Sequence, residues 1–247
     1  MAHRFWGERK FTDVRIHPEK LDEPLKLRKP AKIFVNSMSD LFHDDLSNES
    51  INLVMDRVFY DGISHLTMFI LTKRAQRMLE YFSELKNRGH LMPNNVWLGV
   101  SVENQETADE RIPLLLQTPA AHRFVSVEPM LGEVDLTTCR HDGVIDIDAL
   151  NGIAKGVYND YPFPAPDLKA WPLDWVICGG ETGPGARPIQ KEWVISLRDQ
   201  CVGAGVPFFF KKWGPHAHKK ETGIILDDAI KNTIDGVEWR QFQEGLT

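Results

Sequence analysis

Six short runs of apolar, β-prone residues recur along the chain: Ile33–Val35, Leu66–Leu71, Val96–Val102, Arg123–Val127, Trp175–Cys178 and Val206–Phe210. They are nearly continuous in hydrophobicity rather than alternating, as expected of strands buried on both faces. Amphipathic stretches lie between them. Glu49–Tyr60 sets Ile51, Val54, Met55 and Val58 at helical spacing, and Ala75–Arg88 does the same with Met78, Leu79, Phe82 and Leu85. Asn104–Gln117 and Lys191–Val202 complete the set. Strand, helix and strand at about 30-residue intervals make a βαβ series, which folds as a parallel sheet with right-handed crossovers. The expected fold class is α/β, a partial parallel (β/α) barrel of TIM-like type in a single domain over residues 1–247.

One stretch breaks the rhythm. Residues 137–172 lie between the fourth and fifth of these runs, and their second half is rich in Pro, Asp and aromatic residues. They read as a long insertion, either a functional lid or a disordered loop. A C-terminal tail follows from about residue 215.

Charge and cysteine content narrow the function classes. A net charge of −6 argues against non-specific coating of nucleic acid, although a local basic groove stays compatible with it. Cys139, Cys178 and Cys201 have 38 and 22 residues between them, too far apart for a zinc or iron–sulfur motif. So sparse a set suits buried thiols in a reducing cytoplasm, the expected location. No apolar run approaches about 18 residues, so no membrane association is expected.

In parallel α/β folds, ligands sit at the carboxyl ends of strands. Those ends carry Asn36, Ser37 and Asp40; Lys73 and Arg74; Ser101, Glu103 and Asn104; Glu128; Gly179, Gly180 and Glu181; and Lys211, Lys212 and Trp213. Each alone has a plain structural reading. Asn36 and Ser37 suit a turn, Asn104 suits a helix N-cap, and Glu103 suits a helix N-terminus. Together they form a ring of polar strand ends that points to a small-molecule ligand. Glu128, Glu181, Lys73 and Lys211 are the candidate catalytic groups. Gly179–Pro188 either approaches an anion with its backbone or makes a tight turn, and it lacks both the Rossmann and the P-loop spacing. Arg187 and Glu181 present charge from that loop. Arg74, Arg187, Lys212 and Trp213 are candidate substrate contacts, the last by stacking on a base. His216 and His218 lack a third ligand, and no metal site is expected there.

The segments Ile33–Phe42, Leu71–Met78, Asn95–Arg111, Phe124–Leu131, Trp175–Pro188 and Val206–Gly214 resemble a family of phage- and prophage-associated bacterial proteins with a three-cysteine motif. That family is similar to radical S-adenosylmethionine (SAM) enzymes. The resemblance implies a radical-SAM-type partial barrel, expected to lack its first strand here, and a 4Fe-4S cluster held by three N-terminal cysteines. It implies SAM contacts by Asn36, Ser37, Asp40, Ser101, Glu103 and Asn104, with Gly179 and Gly180 nearby. It also makes nucleic acid, nucleotides and a partner protein encoded nearby candidate partners.

The resemblance has a gap. Met1–Gly7 resembles the family's segment just after the cysteine motif, and no cysteine stands where a cluster ligand is needed. The cluster is therefore expected only in a longer form. Either Met1 is an internal methionine of a truncated chain, or this member has lost the cluster and works as a non-catalytic binding barrel. In both cases Ile33–Val35 is expected to be an exposed edge beside an open apolar interior. A third reading is an ordinary barrel hydrolase or lyase using Glu103, Glu128 or Glu181 as acid and base.

Overall fold

A computed structural model describes residues 14–37, 39–141, 145–156, 171–215, 222, 224, 228 and 232–242. Nine strands and four α-helices are described. They run β1 (Ala31–Val35), α1 (Asn48–Val58), β2 (Leu66–Thr72), α2 (Ala75–Asn87), β3 (Val96–Val102), α3 (Gln105–Gln117) and β4 (His122–Val127). The chain continues with β5 (Cys139–His141), β6 (Ile145–Asp148), β7 (Ile153–Gly156), β8 (Trp175–Cys178), α4 (Lys191–Ala204) and β9 (Phe208–Phe210).

Six strands form one curled, all-parallel sheet in the order β1-β2-β3-β4-β8-β9, a half-barrel flanked by helices. This is the architecture that the βαβ rhythm predicts, and the strand and helix limits agree with the periodicity to within about two residues.

Strand alternation divides the apolar residues between two layers. On β3, Val96, Leu98, Val100 and Val102 face the helices and join the main core, which also holds Ile51, Met78, Phe82, Ile112 and Leu197. On the same strand Trp97 faces the other way, into the concave side. There it packs with Phe69, Phe124, Trp175 and Ile177, all at most 4% exposed, and with Leu71 and Phe209. Ring centroids within this layer lie 5.6–6.4 Å apart in tilted and edge-on pairs, the geometry aromatic quadrupoles favour.

The concave side is thus filled by aromatic side chains rather than left open. Large rings do this because a half-barrel leaves more space per strand than small aliphatics can occupy. The edge expectation holds for β1, which ends the sheet, and its Phe34 is 39% exposed while stacking on Phe69 at 5.1 Å.

Local signals set the ends of the helices. Ser47 caps α1 by accepting from the Ser50 N–H, and Asn104 caps α3 in a reciprocal box with Thr107. Gly205, at φ +71°, ends α4 in the left-handed conformation glycine adopts freely. The insertion read as a lid or a disordered loop contains β5, β6 and β7, an antiparallel meander docked on α3, where the Arg140 N–H donates to Asp109 at 3.0 Å, with Cys139 and Ile147 buried in the main core. Residues 142–144 and 157–170 of that insertion lie outside the described residues, as do His216 and His218.

The tail returns to the sheet. Arg240 bridges Phe209 antiparallel, and the Phe210 N–H donates to the Trp239 carbonyl. Phe242 then packs on Trp175 and Phe209 and lies beneath the Lys32 ammonium from β1. One residue therefore contacts the strands at both edges of the half-barrel.

Candidate functional site

The concave face changes chemistry toward the carboxyl ends of its strands. Ser101 and Ser126 are register partners on β3 and β4, one step above the aromatic layer. Continuing the β2–β3 register by one residue sets Lys73 beside Ser101. Two residues further along, Glu103, Glu128, Gly179 and Lys211 follow one another across β3, β4, β8 and β9. The side chains stand on one face because all of them share the concave phase of their strands.

Ion pairs organise this row. Glu103, whose side chain is 12% exposed, accepts from Lys73 on one oxygen and from Arg111 of α3 on the other, the latter at 3.0 Å. Arg111 also donates to the Ser101 carbonyl at 2.8 Å, which anchors it to the strand. Glu128 accepts from Lys211 at 2.7 Å and has Lys212 at 4.0 Å from its other oxygen. Four cations therefore surround two carboxylates on adjacent strands. Gly179 packs beside them, and a Cβ there would meet the Glu128 carboxylate and the Lys211 side chain at 3.2–3.3 Å.

Other predicted residues serve the frame of the site. Both Asp40 oxygens are engaged: they accept from the Phe42 and Lys73 N–H groups, from the Thr72 hydroxyl at 2.7 Å and from Arg74 at 3.0 Å. Asp40 thereby latches the loop after β1 to the end of β2. Asn36, at φ +60°, turns that loop and donates to Ser39, and Ser37 is exposed in it. The side chain of Asn104 is committed to its helix cap. Arg74 lines an open cleft of about 620 Å³ together with Lys73, Asp44, Arg77, Glu84 and Glu110.

The glycine loop holds a bidentate pair. Arg187 donates to Glu181 through Nε at 2.9 Å and Nη2 at 2.8 Å, and its backbone N–H adds a third bond at 2.7 Å. These bonds pull the Glu181 carboxyl down to about 2, which keeps it ionised and unsuited to general acid work near neutrality. Gly180 is needed for a close crossing: a Cβ would lie 2.1 Å from the Trp213 carbonyl oxygen. Trp213 itself is 1% exposed, with its indole N–H donating to the Thr233 carbonyl at 2.7 Å. Its ring belongs to the core beside Phe210 and offers no free face for stacking a base.

The sequence reading singled out Ser126 at the end of the fourth run but missed Arg111, which stands mid-helix with no local sign of its role.

The three thiols do not fit an iron–sulfur centre. Cys178 lies on β8 among the core residues facing the helices, Cys201 on α4, and Cys139 in the meander, all buried. Burial raises the pKa of each, opposing the thiolate form that a cluster needs. Among the described residues, no three His, Cys, Asp or Glu side chains gather as a metal-binding group. No helix among them is long and apolar enough to cross a membrane.

Fold and site define a class: a parallel half-barrel with an ion-paired polar row at its strand ends. The chain belongs to a family described as a protein of unknown function, DUF5131, whose model matches residues 1–243. No curated protein and no solved structure matches it.

Proposed function

We propose that this protein is a radical-SAM-like half-barrel that binds an adenosyl- or nucleotide-class small molecule at its strand ends, without a cluster on its own thiols. The observation that carries the reading is the row Lys73, Glu103, Glu128 and Lys211, contributed by four strands to one concave face. Convergent charged groups above an apolar floor are what a ligand site in this fold class requires. The resemblance supplies the ligand class: SAM on one side, nucleotides on the other, the phage association that it implies favouring the latter. The placement of the thiols supports binding over radical generation by this chain. Glu103 and Arg111 would orient the ligand, and the aromatic layer beneath would keep water from the floor of the site.

Titration calorimetry with SAM, adenosine 5′-monophosphate and a short oligonucleotide tests the proposal. Saturable binding of SAM or the mononucleotide is expected, weakened at least tenfold by Glu103→Gln and by Lys211→Ala, with melting temperatures within a few degrees of the parent. Binding that both variants leave unchanged, or no binding of any of the three, overturns it.

A further inference from the structure

Ser101 and Ser126 are 7% and 3% exposed; neither hydroxyl bonds another described residue, and neither is fully buried, so both open onto the concave site. Two neighbouring hydroxyls with no protein partner, at the floor of a site, have their donors free for a ligand. They occupy register-paired positions on adjacent strands, which run about 4.8 Å apart, so both can donate to one bound group. Lys73 stands next in the same row.

Charge decides what that group is. Glu103 has two cations, Lys73 and Arg111, and Glu128 has two, Lys211 and Lys212. One cation suffices to neutralise each carboxylate, which leaves a surplus of two positive charges in a chain whose net charge is −6. The surplus is movable. The Lys73 and Lys211 side chains are 52% and 45% exposed, whereas Arg111 is 13% exposed and tied to the Ser101 carbonyl. Both lysines can turn from their carboxylates toward a ligand while Arg111 and Lys212 stay behind.

We propose that Ser101, Ser126, Lys73 and Lys211 form a subsite for a phosphate dianion, the phosphate of a phosphorylated small molecule. The two hydroxyls and two ammonium groups are all donors, and their charge matches the roughly −2 that a phosphate monoester carries near pH 7. This inference rests on the reading of the strand ends as the ligand site. It sharpens that reading, since a ligand with no phosphate leaves the surplus charge unmatched.

The test compares adenosine 5′-monophosphate with adenosine by calorimetry on the full chain, with inorganic phosphate and acetate as competitors and SAM as a separate arm. The mononucleotide should bind at least 30-fold more tightly than adenosine. Phosphate should compete and acetate should not. Ser101→Ala and Ser126→Ala should each weaken the mononucleotide at least fivefold and leave adenosine unchanged. If either alanine variant loses its cooperative melt, Ser101→Cys or Ser126→Cys, which keeps the side-chain volume and loses the strong donor, serves for the same comparison. Equal binding of mononucleotide and adenosine, or serine variants that bind the mononucleotide like the parent, overturns the subsite. If, in addition, no ligand responds to Glu103→Gln, the strand-end reading falls with it. SAM binding that depends on Glu103 but not on the serines overturns the phosphate inference alone.

Discussion

Gly99 on β3 lies directly beneath the ring of Phe124 on β4: a Cβ added at Gly99 would stand 2.5–2.7 Å from three ring carbons. The missing side chain lets the Phe124 ring lie across β3 and reach Phe69 edge-on at 5.6 Å. Gly99→Ala should therefore overpack the concave layer and cost about 2 kcal/mol, a typical penalty for inserting a methyl group into a filled core. Chemical denaturation measures it. Combining Gly99→Ala with Phe124→Leu should destabilise by less than the two changes summed, and strict additivity would count against the contact.

Asp40 gives a second expectation. Its carboxylate accepts four hydrogen bonds, among them one from Thr72, which is 2% exposed. Asp40→Ala strands that hydroxyl and two backbone N–H groups, and should cost about 3 kcal/mol. For a chain of this size that is a drop in melting temperature of roughly 6–12 °C. Asp40→Asn keeps acceptor capacity on one oxygen and should cost clearly less. Similar melting of the two variants would show that Asp40 does not latch β1 to β2.

The strands of the half-barrel were legible because both faces of the sheet are covered, which makes each strand a continuous apolar run. Ile145-Asp146-Ile147-Asp148 alternates with period two, yet the Pro- and Asp-rich residues after it made the whole insertion read as a loop, and β5–β7 went unseen. Polar strand ends were legible as candidates, but their division of labour was not. Asn104 was legible as a helix cap because its partner is three residues away, but that Asp40 holds the frame while Glu103 and Glu128 hold the charged row depends on pairings some 30 to 80 residues apart. Trp213, written beside two lysines, looks like a surface stacking residue. It is buried because Gly180 lets the backbone after β9 come close enough to cover it.

Glu181 predicts a pH dependence with a definite sign. Its folded pKa is lowered to about 2 from 4.5 by the Arg187 side chain and backbone. A lowered carboxyl contributes stability that is present above the unfolded pKa and is lost as pH falls through the folded one. The difference in unfolding midpoint between the parent and Glu181→Gln should therefore be constant above about pH 5 and shrink between 4.5 and 2. The loop is exposed and salt screens the pair, so the difference should be small and should decrease in 1 M salt. A difference that persists at pH 2 would assign it to something other than ionisation.

The thiols supply the last expectation. Burial pushes Cys201 up to about 12 and raises Cys139 and Cys178 above their ordinary range, so thiolate is scarce at neutral pH. In the native protein all three should resist an alkylating reagent at pH 8 for hours, and all three should react within minutes in denaturant. Cys139 should be the first to become reactive as denaturant is raised, because the small meander that carries it is held chiefly against α3, whereas Cys178 lies in the six-stranded sheet. Mass spectrometry of the alkylated peptides reads the order directly. Rapid native alkylation of Cys178 or Cys201 would mean that the layer between sheet and helices opens, and with it the packing that positions the row at the strand ends.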